Sequence, residues 1–287
     1  MTRYIIITPA RDEEEHLAET IAAVARQTIL PLQWIIVNDG STDQTGSILN
    51  RHAEIYPWIT AVHRENRGYR QAGGGVVATF NDGYEQLQFT DWEFIVKLDA
   101  DLTFAPEYFE QCFAEFKRDS RLGIGGGGIY HDEDGEWKIE ENPKFHVRGA
   151  TKIYKKECWE ALGGLLQAPG WDTIDELKAN MLGWKTRTFI ELRLFHHRVT
   201  GAAAGAWKDC IKNGRANYIT GYHPLFMLLK CMRRLPKRPY ILGAVGLSWG
   251  FLSGYLQGIS RVHDRRLIRY TRNQQMRLIF HLESIWK

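Results

Sequence analysis

The chain has 287 residues, 44% of them hydrophobic and 25% charged, which is ordinary for a globular protein with one large α/β domain and an appendage, or with two small domains. Its four cysteines are widely separated and form no Cys-x-x-Cys pair, which argues against a zinc site or a disulfide scaffold and fits a reducing compartment. The net charge of +3 is unevenly distributed, because residues 201–287 hold 15 Lys and Arg against 3 Asp and Glu, and this indicates an anionic partner for the C-terminal region.

Short apolar runs alternate with helical patterns through the first hundred residues. A helix is expected to open at the acidic residues 12–15 and to carry Leu17, Ile21 and Val24 on its apolar face. A second helix is predicted over residues 73–84. The strands are predicted at residues 4–8, 34–37, 60–62 and 94–98. Strands that alternate with helices at this spacing predict an α/β fold with a largely parallel sheet.

Beyond residue 120 the pattern is less regular. We interpret the glycine run 123–128 as a strand edge with close backbone approach, since it lacks the strand and helix that flank a dinucleotide fingerprint. Residues 131–142 are polar and acidic and are predicted to form a surface loop. A helix is predicted over residues 171–184 and a strand over residues 188–195.

Two carboxylates one residue apart, Asp99 and Asp101, follow the apolar run 94–98. Residues i and i+2 of an extended chain point to the same side, so both side chains are expected in the crevice where open α/β sheets bind ligands. Mg²⁺ or Mn²⁺ on a diphosphate suits such a pair, because it takes one or two carboxylates and completes its shell with phosphate and water. The alternative is a solvated acidic turn.

Polar residues also follow the other predicted strands. Taken singly, Glu13 is explained equally well as a first-turn acid, and Asp39 and Asp172 as helix N-caps. In a parallel sheet, however, the C-terminal ends of the strands share one edge, so these groups are expected to converge. They are Thr8, Pro9, Arg11 and Glu13 after the first strand, Asp39 after the second, and Asp172, Asp175 and Glu176 in the later helix.

The order of these motifs resembles the family 2 glycosyltransferases of the GT-A fold over about residues 3–200. The resemblance implies a mixed, mostly parallel sheet flanked by helices. It also implies an inverting transfer of a sugar from a nucleotide-diphosphate sugar, with Mg²⁺ or Mn²⁺ as cofactor. The matching stretches are residues 8–13, 37–43, 66–68 with Ala72, 98–101, and 163–164 with 171–172.

The resemblance also implies roles for particular residues. Asp101 would hold the metal, with Asp99 beside it facing the ribose or the donor sugar. Asp172 would be the general base, because the acceptor hydroxyl must lose a proton as it attacks. The other donor-binding residues would be Thr8, Pro9, Arg11, Glu13, Asp39 and Arg70.

The sequence departs from the family pattern near the expected base. Trp171 stands where the family usually has Glu, and we interpret it as a residue that stacks on a sugar face. Asp175 and Glu176 lie one turn further on and are alternative bases. Of the pair His196-His197, we choose His197 as a third metal ligand or an acceptor contact, although a histidine at a strand end is often only a polar terminus.

An apolar stretch at residues 239–259, flanked by basic residues, is about as long as a bilayer is thick. Glycines at every fourth position from 246 to 258 favour close helix approach and the formation of an oligomer. Three interpretations remain open: a membrane span, an interfacial or re-entrant helix, and a buried helix of a helical subdomain. Helices are also predicted at residues 222–235 and 267–282. We therefore expect a GT-A catalytic domain at residues 1–200 and a basic, helical, membrane-associating region at residues 201–287.

We expect the protein at the cytoplasmic face of the cell membrane, since no signal peptide precedes the first strand. There it would add single sugars to a lipid-linked acceptor in surface polysaccharide or glycolipid synthesis, without a nucleic-acid partner. One alternative is a sugar nucleotidyltransferase, which should carry a glycine-rich basic loop after the first strand. The other is a non-enzymatic adaptor for membrane or nucleic acid, which would leave the acidic residues without a role.

Overall fold

The computed structural model describes residues 2–69, 74–198, 205–236 and 239–286. The strands within these ranges are β1 Tyr4–Ala10, β2 Gln33–Asn38, β3 Ile59–His63, β4 Phe94–Leu98, β5 Leu102–Phe104, β6 Leu122–Glu133, β7 Glu136–Ile139, β8 Thr151–Lys155 and β9 Lys185–His196. The helices are α1 Leu17–Ala25, α2 Thr45–Ile55, α3 Gly74–Tyr84, α4 Tyr108–Arg118, α5 Lys156–Leu162, α6 Trp171–Met181, α7 Ala206–Ile219, α8 Pro224–Arg234, α9 Tyr240–Leu256 and α10 Arg265–Ile279. The α/β fold and the strands predicted in the first hundred residues are thereby confirmed.

One mixed sheet has the strand order β3-β2-β1-β4-β8-β6-β9-β5, with β7 paired to β6. In its first half β1 runs parallel to β2 and β4, and β2 runs parallel to β3. The antiparallel strand β8 then joins β4 to the second half, in which β6 and β9 are again parallel. Because β1, β2 and β4 are parallel, their C-terminal ends meet at one edge of the sheet, as the sequence predicts.

The core lies on both faces of this sheet, since successive side chains of a strand point to opposite sides. In β1, Tyr4 and Ile6 pack toward α1 and α4, whereas Ile5 and Ile7 pack toward Phe80 of α3. All five side chains are fully buried. The first strand is therefore covered on both faces, which explains its continuous apolar run.

The predicted start of the first helix is wrong. Helix α1 begins at Leu17, and residues 14–16 before it form a turn. Asp12 has a positive φ of 54°, its backbone N–H donates to Ser41 Oγ at 3.0 Å, and its carboxylate accepts from the Thr42 N–H at 2.9 Å. The acidic residues thus hydrogen-bond the loop after β2 instead of occupying a first helical turn.

The surface loop predicted at residues 131–142 is also wrong, because part of it is a β-hairpin. Strand β6 continues to Glu133 and pairs with β7 in antiparallel register. Asp134 and Gly135 form the two-residue turn with positive φ values of 58° and 86°. Asp-Gly is a preferred sequence for such turns and indicates a hairpin. The acidic composition of the segment instead favoured a loop.

The glycine run lies inside the sheet and not at its edge, because β6 is flanked by β8 and β9. The close backbone approach predicted for it is confirmed. A Cβ atom on Gly126 would lie 2.6 Å from the Thr151 carbonyl oxygen, and one on Gly127 would overlap the Leu192 carbonyl oxygen. Side chains at these positions would push neighbouring strands apart.

The C-terminal helices form a bundle that packs on α6 through a shared apolar cluster, which includes Leu177 of α6 and Tyr222, Met227, Leu247 and Leu267. Helix α7 was not predicted. It packs closely along the glycine stripe of α9, because a Cβ atom on Gly250 would overlap the Ile211 carbonyl oxygen. The close helix approach expected of this stripe is therefore made to α7 of the same chain. Over the described ranges, none of the helices combines the length and the apolar character needed to cross a bilayer.

Candidate active site

The first part of the site follows β4. Its last residue is Leu98, after which the Asp99 N–H donates to the Ala150 carbonyl oxygen at 2.8 Å. The Asp99 carboxylate forms an ion pair with Lys97, whose side chain is only 2% exposed. Backbone and side-chain contacts thus hold Asp99 at the C-terminal edge of the sheet, two residues before Asp101.

Asp101 faces His196, the last residue of β9. Asp101 Oδ2 lies 3.0 Å from His196 Nε2, and both side chains are buried. Burial opposes ionisation of Asp101, but the hydrogen bond and charge of His196 and the charge of Arg198 lower its pKa below the usual value. The carboxylate is therefore ionised at neutral pH and ready to act as a ligand.

A three-residue donor set for a metal results from this arrangement. Asp99, Asp101 and His196 each offer one ligand atom, and these three atoms lie within 4.8 Å of one another. Two carboxylates and an imidazole at a partly open position fit a divalent cation such as Mg²⁺ or Mn²⁺ that keeps further ligands from phosphate and water. The Asp99 side chain is 31% exposed, which leaves that side accessible.

His197 was predicted as a third metal ligand or an acceptor contact, but the structure places His196 and not His197 beside Asp101. The metal-ligand interpretation therefore passes to His196, and the acceptor contact of His197 stays a prediction. Consecutive residues point to opposite sides of an extended chain, so only one of the two histidines can face Asp101. His197 Nε2 lies instead 2.8 Å from Thr103 Oγ1, and its ring stacks on His16 at a centroid distance of 5.5 Å. Which histidine faces inward depends on strand pairing, which the sequence pattern left open.

Asp39, at the end of β2, lies in a cluster of arginines. Arg64 Nη1 donates to its Oδ1 at 2.9 Å, and Arg67 Nη2 donates to its Oδ2 at 2.5 Å. Arg11 donates to its carbonyl oxygen at 3.1 Å. This polar cluster lies beside the end of β1. Arg70, the other arginine expected there, is outside the described residues.

The remaining residues expected at the donor site differ in their accessibility. Thr8 is fully buried, and its hydroxyl accepts from the Trp34 indole N–H at 2.9 Å, so this side chain belongs to the core. Pro9 is half-buried at the end of β1. The Glu13 carboxylate accepts from Arg198 Nη1 at 2.9 Å. Sequence reasoning missed Arg198, because its partner is 185 residues away.

Asp172 lies in the first turn of α6, directly after Gly170, whose φ of 81° turns the chain into the helix. Its side chain is half-buried. Burial opposes ionisation, but the positive charges of His146, Lys152 and Arg148 lower the pKa of Asp172 below its usual value. The carboxylate is therefore ionised at neutral pH, as a proton acceptor must be.

The segment 149–150 links Asp172 to the carboxylates after β4. A Cβ atom on Gly149 would lie 3.3 Å from the Asp172 Cβ, and the next residue, Ala150, accepts the hydrogen bond from the Asp99 N–H. The structure thus brings the predicted metal ligands and the predicted base to the same edge of the sheet.

Trp171 is only 7% exposed, so most of its surface is covered. The ammonium groups of Lys97 and Lys152 lie 5.8 and 5.6 Å from the centroid of its ring. These are cation–π distances. Trp171 therefore packs against two lysines that are paired across β4 and β8.

Asp175 and Glu176, the alternative bases, belong to a buried ion network. Lys152 Nζ lies 2.8 Å from an oxygen of each carboxylate. Asp175 also accepts from the Tyr154 hydroxyl at 2.5 Å, and Glu176 lies 2.8 Å from His146 Nδ1. Both carboxylates are thus fully engaged in holding α6 against β8.

Replacing Lys152 by Met should destabilise the protein strongly, because two carboxylates would remain buried without their cation. We expect a loss of about 3–5 kcal/mol in the free energy of unfolding, measured by urea denaturation at neutral pH. Lys155→Met is the matched control on the same strand. Lys155 lies 3.7 Å from the exposed Glu157 and 5.7 Å from the centroid of the Trp184 ring, so its replacement should cost less than about 1 kcal/mol. Equal losses in the two variants would contradict a structural role for the network.

An aromatic residue missed by sequence reasoning borders the site. Trp137 of β7 is 40% exposed. Its ring contacts Phe195 and His197 at centroid distances of 4.9 and 5.7 Å. Because residues 131–142 read as a loop in the sequence, this exposed ring beside His197 was not predicted.

Comparisons with known proteins agree with this architecture. The family model described as Glycosyl transferase family 2 matches residues 5–166, more than half of the chain. The putative glycosyltransferase EpsH of Bacillus subtilis is 23% identical over 218 residues, which cover 68% of this chain and 60% of EpsH. The chondroitin synthase of Escherichia coli is 29% identical over 117 residues, which cover 41% of this chain and 16% of the synthase. The match thus spans less than two thirds of either relative.

Solved structures resemble the whole of the described fold. The mannosyltransferase PcManGT from Pyrobaculum calidifontis, in complex with GDP-Man and Mn²⁺, has a TM-score of 0.58 at 17% identity and covers 96% of this chain and 85% of its own. TarS from S. aureus, in complex with UDP-GlcNAc, has a TM-score of 0.55 at 15% identity. This match covers 91% of the present chain and 74% of the TarS chain. The match to the family model, together with this fold and the carboxylates at its sheet edge, shows that the chain belongs to the family 2 glycosyltransferases and has the GT-A fold.

Proposed function

We propose that this protein transfers a sugar from a nucleotide-diphosphate sugar to an acceptor hydroxyl, with inversion at the anomeric carbon. The observation that carries the proposal is the cluster of Asp99, Asp101 and His196 at the sheet edge that Asp172 also reaches. Membership of the family supports it, as do the GDP-Man and UDP-GlcNAc bound by two proteins of the same fold. A non-enzymatic adaptor would need none of these groups.

At the donor end, Asp101 and His196, with Asp99, would hold Mg²⁺ or Mn²⁺ against the diphosphate. The bound cation would act as a Lewis acid that stabilises the departing nucleoside diphosphate. Lys97 stays paired with Asp99 and keeps that carboxylate oriented along the sheet edge. Asp39, held by Arg64 and its neighbours, would orient the nucleoside.

At the acceptor end, Asp172 would accept the proton of the attacking hydroxyl. His146, Lys152 and Arg148 keep this carboxylate ionised, so it can hydrogen-bond the hydroxyl before attack. A single base on the side opposite the leaving group gives one displacement and therefore inversion. The engagement of Asp175 and Glu176 with Lys152 favours Asp172 over them for this role.

The acceptor is proposed to be a lipid-linked hydroxyl in surface polysaccharide or glycolipid synthesis, at the cytoplasmic face of the membrane. The basic C-terminal region supports a membrane surface as the place of transfer. Relatives named chondroitin synthase and hyaluronan synthase support a polysaccharide product. The half-exposed ring of Trp137 offers an apolar face against which an acceptor sugar can stack.

Thermal unfolding with a panel of nucleotide-diphosphate sugars tests this proposal. A donor at about 100 times its Kd should raise Tm by about 5 °C in the presence of Mn²⁺, because binding to the native state alone stabilises it. The rise should disappear when EDTA removes the metal. A panel in which no nucleotide sugar raises Tm would contradict the proposal, whereas release of pyrophosphate from a nucleoside triphosphate and a sugar phosphate would indicate a nucleotidyltransferase.

A further inference from the structure

Helix α9 presents an entirely apolar surface outward, which we call its outer face: Ile241, Leu242, Val245, Trp249, Leu252 and Leu256. These side chains are between 49% and 75% exposed. The opposite side of the helix, with Gly246, Gly250 and Gly254, is buried against α7. Exposed apolar residues are common singly, but a continuous row along about four turns of a helix marks a binding surface.

The end of α8 also carries exposed apolar side chains. Leu228, Met232 and Leu235 are exposed by 43% to 58% at successive turns of α8 and just beyond it. The last turn of α8 meets the first turn of α9, where a Cβ atom on Gly243 would lie 3.2 Å from Arg234 Nε. The end of α8 therefore lies against the first turn of α9, and both helices carry exposed apolar side chains.

Basic residues lie at both ends of the outer face. Arg233 and Arg234 precede it, at the end of α8. At the other end, Arg261 lies between the rings of Tyr218 and Tyr255, 4.5 and 4.6 Å from their centroids. The guanidinium groups suit the anionic headgroups of a bilayer, and the apolar surface between them suits its acyl chains.

The packing of α7 determines how such a helix can meet a bilayer. Helix α9 has 17 residues, which span about 26 Å and are shorter than a hydrocarbon core of about 30 Å. Helix α7, which covers its inner side, carries the exposed Lys208 and Lys212. These charges would enter the hydrocarbon if α9 crossed it together with α7. These features favour contact along a bilayer surface over a span.

We propose that the outer face of α9, with the exposed apolar residues at the end of α8, docks on an anionic lipid bilayer with the helix axis along the interface. The proposal rests on the proposed function in so far as the acceptor is lipid-linked. A second copy of the chain is the less suitable occupant, because its C-terminal region carries the same excess of positive charge. An anionic surface attracts that charge.

Co-sedimentation with vesicles tests the docking surface. The full chain should bind vesicles of phosphatidylcholine and phosphatidylglycerol at least about tenfold more tightly than phosphatidylcholine alone. The double variant Val245→Glu, Leu252→Glu should bind the anionic vesicles about 100-fold more weakly. Ile55→Glu is the matched control, since Ile55 is 59% exposed at the end of α2 and should leave binding unchanged.

Two further readouts separate the possible outcomes. Brominated acyl chains should quench the tryptophan fluorescence of the unaltered protein, and the Trp249→Phe variant should lose most of that quenching. This measurement keeps the docking proposal testable even if the double variant unfolds. Donor hydrolysis without vesicles should be unchanged in the double variant, whereas Asp101→Asn should lose hydrolysis and still bind vesicles. Absence of hydrolysis in the unaltered protein with vesicle binding intact would overturn only the proposed function. The docking proposal would be overturned if the unaltered protein did not bind vesicles. It would also be overturned if the double variant bound vesicles normally and its only defect were the dissociation of a dimer.

Discussion

Replacing Asp172 by Asn should lower kcat for sugar transfer by about 10²–10⁴-fold, the usual contribution of a general base. The amide has nearly the same shape as the carboxylate but cannot accept the proton of the acceptor hydroxyl. The affinity for the donor should stay within about twofold, because Asp172 lies on the acceptor side in this account. Steady-state transfer kinetics together with calorimetric donor binding measure the two effects separately.

The matched control for this variant is Glu157→Gln, since Glu157 is an exposed carboxylate whose nearest cation is the Lys155 side chain. It should leave kcat unchanged. The pH dependence offers a second check. Because the pKa of Asp172 is lowered by its positive neighbours, the base stays deprotonated down to pH values below the usual Asp pKa of 3.8. Protonation of Asp172 should therefore cause no loss of kcat between about pH 5 and pH 7. Full transfer activity in Asp172→Asn would exclude this residue as the base.

Replacing Asp101 by Asn should lower kcat/KM by about 10³-fold, because a carboxylate ligand that keeps the cation on the leaving diphosphate is lost. His196 and Asp99 would remain, so weak metal binding should persist and part of the activity should return at high Mn²⁺. Activity measured across a Mn²⁺ titration reports both the loss and the partial recovery.

Asp91→Asn is a suitable control for Asp101→Asn, since Asp91 is an exposed carboxylate that pairs with Arg3 far from the sheet edge. Its kcat/KM should equal that of the unaltered protein at every Mn²⁺ concentration. If Asp101→Asn followed the same curve as this control, the assignment of the metal site would be wrong.

The sequence was sufficient to predict the first half of the sheet, because its central strands are covered on both faces and therefore read as continuous apolar runs. Asp99 and Asp101 could be placed for the same reason, since they directly follow β4. The parallel pairing of β1, β2 and β4 then brings the strand ends to one edge. Local pattern and tertiary arrangement agree in this half of the protein.

What could not be predicted depends on contacts between distant segments. His196 and not His197 faces Asp101 because of the pairing of β9 with β5 and β6. Arg198 donates to Glu13, which lies 185 residues earlier in the sequence. The burial of Asp175 and Glu176 depends on Lys152, which reads in the sequence as an ordinary polar residue of a strand.

The C-terminal region shows the same limit. The glycine stripe of α9 correctly indicated close helix approach, but the partner helix α7 is rich in charged and polar residues and was not recognised. Helix α7 covers the stripe, and the outer face of α9 stays exposed. Of the three interpretations that the sequence leaves open for this segment, we therefore propose a contact along the membrane surface.

Proton NMR of the transfer reaction tests the central claim most directly. The donor identified in the thermal panel is incubated with Mn²⁺, an acceptor and the unaltered protein, and the anomeric proton of the product is followed from the first turnover. The account predicts a product whose anomeric configuration is opposite to that of the donor. A product that retains the donor configuration, or donor that is never consumed while it stays bound, would contradict it.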